Sequence, residues 1–306
     1  MDGAAVRNLL KSGGPANPTE DEQANLNADQ AYEFIDFLSD QDDIPIDELV
    51  IRQLNRYFIR GASEALTPGA YRKGLNQVGK FTPPDQEDVP GLMRSFALWL
   101  RSEDEEIHPV IKAGLAHIHL IAIHPFWDGN GRTARGLATL LLQRSPFRFR
   151  KLLSLESHMF NIKDQYFTAI ESTLGTRFAA DYDATPWLEF FARGLETQAE
   201  ILIGGLTEWH RMMQDAQGIF AAKGWNQRQA DGFAFAVQTG QISRSNYMEI
   251  NRVSPATASR DLAKLVEAGI LTTEGKTRSR IYRPGLLSLE MANRPAQEQL
   301  PLMTDA

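Results

Sequence analysis

Within twelve residues, His124-Pro125-Phe126-Trp127-Asp128-Gly129-Asn130-Gly131-Arg132-Thr133-Ala134-Arg135, the chain gathers a base, a carboxylate, two glycines, an asparagine and two arginines. Gly129 and Gly131 permit backbone angles that a Cβ forbids, and they let N–H groups approach an anion closely. A helix starting near Gly131 adds its positive N-terminal end. Arg132 and Arg135 lie three apart and project from the same side of that helix, and two fixed guanidinium groups suit a polyphosphate. Asp128 is a hard oxygen donor able to hold a Mg²⁺ that bridges two phosphates. His124, as neutral imidazole, can take a proton from an incoming hydroxyl. A helix-end His, a Gly-Asn-Gly turn or an Arg pair is each commonplace alone. In this order they describe attack of a hydroxyl on a bound nucleoside triphosphate.

Helices must position that stretch. Asn27 is expected to cap a helix over Ala28–Ser39, and Ile46–Ile59 resumes helical spacing after a turn at Asp40–Pro45. Tyr71–Phe81, ending before Pro83-Pro84, predicts a β-hairpin or extended flap. Helices follow over Val89–Arg101 and His108–Ile123, and Leu137, Leu141 and Leu142 mark the core face of the helix after the loop. Asn161–Leu174 and Thr185–Met213 read as two more helices, the second opened by Thr185-Pro186. His117 lies seven residues before His124 without further ligands at metal spacing, so it is expected in the core. No strand–helix alternation appears, which excludes a parallel α/β sheet and leaves a mainly α fold.

Composition narrows the class. The 306 residues include no cysteine, so thiolate chemistry and disulfides are absent, compatible with a cytoplasmic protein. Neither a signal peptide nor a membrane-spanning apolar run is expected. The net charge of −7 is uneven: residues 1–60 hold 5 Lys/Arg against 12 Asp/Glu, and residues 223–283 hold 10 against 5. An acidic front and a basic rear point to separate jobs. The expected division is an N-terminal arm with helices over 1–60, a core over 61–215, a linker at 216–224, a small domain over 225–284 and a tail over 285–306.

The central segment resembles the signature of the Fic (Fido) family, His-Pro-Phe-x-Asp-Gly-Asn-Gly-Arg-x-x-Arg, matching every specified position. The resemblance extends over roughly residues 20–200, through Tyr71-Arg72, Gln77-Val78-Gly79, His108-Pro109 and Asp183–Phe191. It implies a helical core with a short hairpin flap that transfers AMP from ATP to a Ser, Thr or Tyr hydroxyl of a protein, including its own. By that resemblance His124 is the general base and Asp128 the Mg²⁺ ligand. Gly129, Asn130 (backbone and side chain), Gly131, Arg132, Thr133, Ala134 and Arg135 surround the phosphates. Tyr166 and Phe167 line the adenine pocket, and the flap Asn76, Gln77, Val78 and Gly79 clamps the target by strand addition. A kinase-like branch has Lys where this chain has Gly131, which favours AMP transfer. Removal of AMP uses the same site in some members.

Many members carry an inhibitory Ser/Thr-x-x-x-Glu-Gly/Asn helix whose Glu pairs with the second motif Arg. Glu274-Gly275 has Ile270 where Ser/Thr is required, so it does not match. Glu22 is the best positional candidate, although Pro18 and Gln23 depart from the pattern. Residues 225–283 resemble a winged-helix domain. Short helices are expected over Gln227–Gln238, Ser243–Ile250 and Ser254–Ala268, then small strands at Gly269–Leu271 and Ile281–Tyr282 around a Lys276–Arg278 turn. Arg260, Lys264, Arg278 and Arg280 are the candidates for contacting DNA. The winged helix could equally dock a protein or join a homodimer. The alternative to an enzyme is therefore a DNA-binding regulator whose core senses nucleotide.

Overall fold

The computed structural model describes residues 3–61, 67–102, 107–146, 155, 158–159, 162–222, 224–275 and 280–285. No helix among them is long and apolar enough to cross a membrane. The chain divides into two compact units, Met1–Glu200 and Ile201–Ala306.

The first unit is helical: α1 (Gly3–Ser12), α2 (Glu20–Ser39), α3 (Glu48–Ile59), α4 (Val89–Leu100), α5 (Pro109–Ile123), α6 (Asn130–Arg144), α7 (Lys163–Leu174) and the start of α8 (Thr185–Ala222). Helix α2 begins eight residues before the expected start at Ala28. Thr19 and Glu22 form a capping box: Glu22 N–H donates to Thr19 Oγ1 at 3.3 Å, and Thr19 N–H donates to Glu22 Oε2 at 2.8 Å. Asn27, expected as the cap, is instead buried inside α2. Its Nδ2 donates to the carbonyls of Phe58 (3.3 Å) and Arg60 (2.7 Å), so it satisfies the C-terminal end of α3.

Helix α5 is buried along most of its length, through Ala113, Ala116, Ile118, Leu120 and Ile123, and forms the centre of the core. Gly114 removes a side chain where Leu188 and Phe191 press in, since a Cβ there would lie 2.9 Å from Leu188 Cδ2. Trp187, fully buried, donates its Nε1–H to the Gly114 carbonyl at 2.8 Å. His117 lies in this core as expected, stacked on Trp187 with ring centroids 4.4 Å apart.

The second unit holds the end of α8, α9 (Gln227–Thr239), β1 (Ile242–Ser243), α10 (Arg244–Asn251), α11 (Pro255–Glu267), β2 (Leu271–Glu274) and β3 (Ile281–Pro284). Its sheet is antiparallel in the order β1-β3-β2, with Ile242 opposite Tyr282 and Leu271 opposite Pro284. Phe233, Tyr247, Leu262 and Leu265 fill its core. Tyr247 donates its hydroxyl to buried Asp261 at 3.1 Å, and Arg228 pairs with the same carboxylate oxygen. The segment read as a linker from 216 is helical as far as Ala222. Phe220 explains this: it is buried against Trp225 and Phe233, with centroids at 5.3 and 5.7 Å, and it anchors the end of α8 in this core. The turn around Lys276 to Arg278 and the tail from 286 lie outside the described residues.

Candidate active site

Pro125 stops α5, because the residue before a proline is pushed out of the helical region. His124 takes the helix end in a left-handed conformation (φ 48°, ψ 57°), its N–H donating to Leu120 O at 2.9 Å. Its Nδ1 lies 3.3 Å from the Ile121 carbonyl. A carbonyl only accepts, so Nδ1 carries the proton and Nε2 is left as the basic nitrogen. Burial pushes the His124 pKa down to about 4, and Arg72 acts in the same direction; the Ile121 carbonyl and Asp128 partly offset both.

The turn from α5 to α6 is held from three sides. Phe126 is buried in the core, and Asn130 locks it there: Phe126 N–H donates to Asn130 Oδ1 at 3.0 Å, and Asn130 Nδ2 donates to Phe126 O at 2.8 Å. The Asn130 carboxamide is thus committed to shaping the loop, and its backbone N–H is what it can offer a phosphate. Asn55, fully buried on α3, donates to the Asp128 carbonyl at 2.9 Å and accepts from Gly69 N–H at 2.9 Å. Thr133 donates its hydroxyl to Gly129 O at 2.8 Å. Gly129 has φ 78°, and a Cβ on it would lie 2.4 Å from Ile59 Cγ2. Gly129→Ala is therefore expected to destabilise the protein by about 2–5 kcal/mol through a left-handed alanine and an overpacked contact. Urea unfolding checks this, and wild-type stability would show that the loop relaxes freely.

The result is a cavity of about 410 Å³ walled by the flap (Val78, Gly79, Lys80), His124, Asp128, the start of α6 and the Tyr166-Phe167 face of α7. That volume suits a nucleotide-sized ligand. The first N–H groups of α6 have no partner within the helix, which makes its N-terminus an anion site. Arg132 and Arg135 both line the cavity, but differently. Arg132 donates to Asp128 Oδ2 at 3.0 Å and to Phe58 O at 3.1 Å, whereas the Arg135 guanidinium lies 5.8 Å from the Tyr166 ring centroid. The Asp128–Arg132 pair is partly exposed, so it is worth little and yields easily to a stronger ligand. Asp128 fits a Mg²⁺ held by one carboxylate, with substrate phosphates and water as the other ligands. Among the described residues no group of three or more His, Asp or Glu forms a metal cluster.

Other expected site residues land elsewhere. Thr133 and Ala134 are buried on the core side of α6 and do not line the cavity, because helical spacing turns them away from Arg132 and Arg135. Tyr166 reaches the cavity but is largely buried, its hydroxyl 3.3 Å from His117 Nε2; Phe167 is the exposed aromatic beside it. Glu22 is used in the α2 capping box and does not line the cavity. In the flap, Val78 and Phe81 exchange backbone hydrogen bonds around Gly79-Lys80, the expected hairpin turn. Asn76 turns inward, donating to Trp127 O at 3.1 Å, and Gln77 is exposed.

Arg72 was not singled out by residue-type reasoning. It is 2% exposed, donating through Nε to His124 O (2.9 Å), through Nη1 to Gly74 O (2.9 Å) and through Nη2 to Pro84 O. Its backbone N–H donates to Pro125 O at 2.9 Å. One side chain therefore fastens the flap to the loop that begins at His124. Apart from the family resemblance at Tyr71-Arg72, its sequence signal is an arginine between Gly69 and Gly74. Asn55 has a comparable signal, a polar residue on the apolar face of α3.

Residues 45–142 match the profile of the Fic/DOC family. The chain carries a Fic/DOC domain. It is 38% identical over 125 residues to a Nematostella vectensis protein named protein adenylyltransferase Fic, covering 40% of this chain and 29% of that one. It is 28% identical over 208 residues to protein adenylyltransferase fic-1 of Caenorhabditis elegans, covering 66% and 38%. The chain therefore spans well under half the length of these relatives. A solved Fic family protein from Desulfovibrio desulfuricans shares the fold, with a TM-score of 0.56 at 19% identity over 94% of this chain and 82% of that one. In the second unit, beyond the Fic/DOC domain, Arg260 and Lys264 are exposed on α11. Arg280 is exposed as well, in a groove with Arg244 and Ser259. Arg278 lies outside the described residues.

Proposed function

We propose that the Fic/DOC domain is a protein adenylyltransferase that uses ATP. The observation that carries this is His124, whose Nε2 is basic by elimination and which shares a cavity with the N-terminus of α6. The names of the curated relatives agree with it. A target hydroxyl gives its proton to His124 Nε2 as its oxygen forms a bond to the α-phosphorus, and the bond to pyrophosphate breaks. The N–H groups opening α6, with Arg132 and Arg135, stabilise the phosphate charge. Asp128 would hold Mg²⁺, which neutralises charge on the phosphates when bound. Label transferred to protein from α-labelled but not γ-labelled ATP would support this reading; transfer from the γ-label alone would replace it with kinase chemistry.

The lowered His124 pKa fixes the pH dependence. Only the neutral ring accepts a proton, so the active form persists until pH falls towards about 4. The expected kcat/KM profile is flat through neutrality, with its acid limb well below the 6.5 of an ordinary histidine. An acid limb centred near 6.5 would contradict the buried, neutral base.

The second unit is read as a winged-helix module. The order helix, short strand, two helices and a strand pair supports that reading. DNA or a docking protein is its proposed partner, and the exposed Arg260, Lys264 and Arg280 are the groups that would meet phosphate.

A further inference from the structure

The motif places an exposed tryptophan where a target must pass. Phe126 is buried and Asp128 faces the cavity, while Trp127 between them is 46% exposed. Leaving an indole in water forfeits burial that most tryptophans obtain. Trp127 is nevertheless held firmly. Its ring edge lies over Gly74, where a Cβ would come within 3.3 Å of Cη2, and its carbonyl accepts from Asn76. Gly74 is itself fixed by Arg72. Leu75 and Val78, on the flap, are also exposed. Trp127, Val78 and His124 line one cavity. The flap from 71 to 84 contains Lys73 and Lys80, both exposed, and no acidic residue.

We propose that Trp127, with Leu75 and Val78, anchors an apolar side chain of the target segment that brings its hydroxyl to His124, and that this segment is acidic. The proposal rests on the adenylyl-transfer reading. A rigid, partly exposed tryptophan is the residue type most able to act as a binding hot spot, because little conformational freedom is lost on docking. Lys73 and Lys80 select an acidic partner by charge and speed its encounter. A target presenting its hydroxyl to His124 passes Trp127 because both face the same cavity.

The test uses the full chain, α-labelled ATP and its most strongly labelled protein target, with Trp127→Ala, Trp127→Phe and the double variant Lys73→Glu/Lys80→Glu. Trp127→Ala is expected to raise the KM for the target at least about tenfold with unchanged ATP affinity, and Trp127→Phe to recover most of that loss. The double lysine variant is expected to raise the same KM and flatten its dependence on salt. An unchanged target KM in Trp127→Ala overturns the anchor. So does a parallel loss of ATP affinity, which would place Trp127 in the nucleotide pocket. A salt dependence untouched by the lysine changes overturns the acidic preference. Absence of labelling by the unsubstituted chain would remove the adenylyl-transfer reading itself, and the anchor with it.

Discussion

His124→Ala is expected to lower AMP transfer by about 10²–10⁴-fold while leaving ATP affinity and folding nearly intact. The separation follows from what the side chain touches. Among the described residues its one side-chain hydrogen bond is a long contact from Nδ1 to Ile121 O, and none of the N–H groups opening α6 depends on it. Removing the ring removes the proposed proton acceptor for the target hydroxyl but leaves the loop held by Asn130, Asn55 and Arg72. The loss should fall on kcat, since the imidazole acts chiefly when the proton moves. Single-turnover transfer from α-labelled ATP, set beside a nucleotide titration and a melting curve, reads the three quantities separately. Transfer surviving at near wild-type rate would mean that the hydroxyl loses its proton elsewhere and would remove His124 as the base.

Arg72→Met is expected to destabilise the protein by on the order of 3 kcal/mol and to depress activity further still. Methionine keeps much of the aliphatic stem but supplies no donor, so the carbonyls of His124, Gly74 and Pro84 lose their partner. Unpaired buried carbonyls carry the desolvation penalty in full. Arg72→Lys should recover only part of the loss, because one ammonium cannot reproduce the fork. Arg72 acts through His124, so the informative readout is kcat under conditions where the variant remains folded. A kcat fall with unchanged ATP affinity would mark displacement of the base. Wild-type stability in Arg72→Met, by urea unfolding, would show that water replaces the clamp without penalty.

The chemistry of the site was legible because it depends on residue types in a fixed short order. His124, Asp128, Gly129 and the arginines fall where that order puts them around one cavity. The supports were not legible, since they join residues far apart in the chain. Asn55 meets Asp128 across 73 positions and Arg72 meets His124 across 52, and neither pairing leaves a periodic trace. Asn130 shows a different limit. A sequence gives its donor and acceptor but not their direction, and here both turn inward to Phe126. Asn27 failed as a cap because Thr19 and Glu22 form a better one upstream, which left its amide to close α3. Most other helices followed from apolar spacing, including those of the second unit, but the ten-residue α1 and the end of α8 did not.

The left-handed backbone at His124 sets stability and activity against one another. A glycine there would adopt φ 48° without strain, and helix ends of this shape favour it. A chain selected only for resistance to heat would therefore tend to discard the proposed base. That the position is a histidine means the fold keeps the proposed base on a strained hinge of backbone, and the surrounding clamps serve to hold a conformation that local preference alone would abandon.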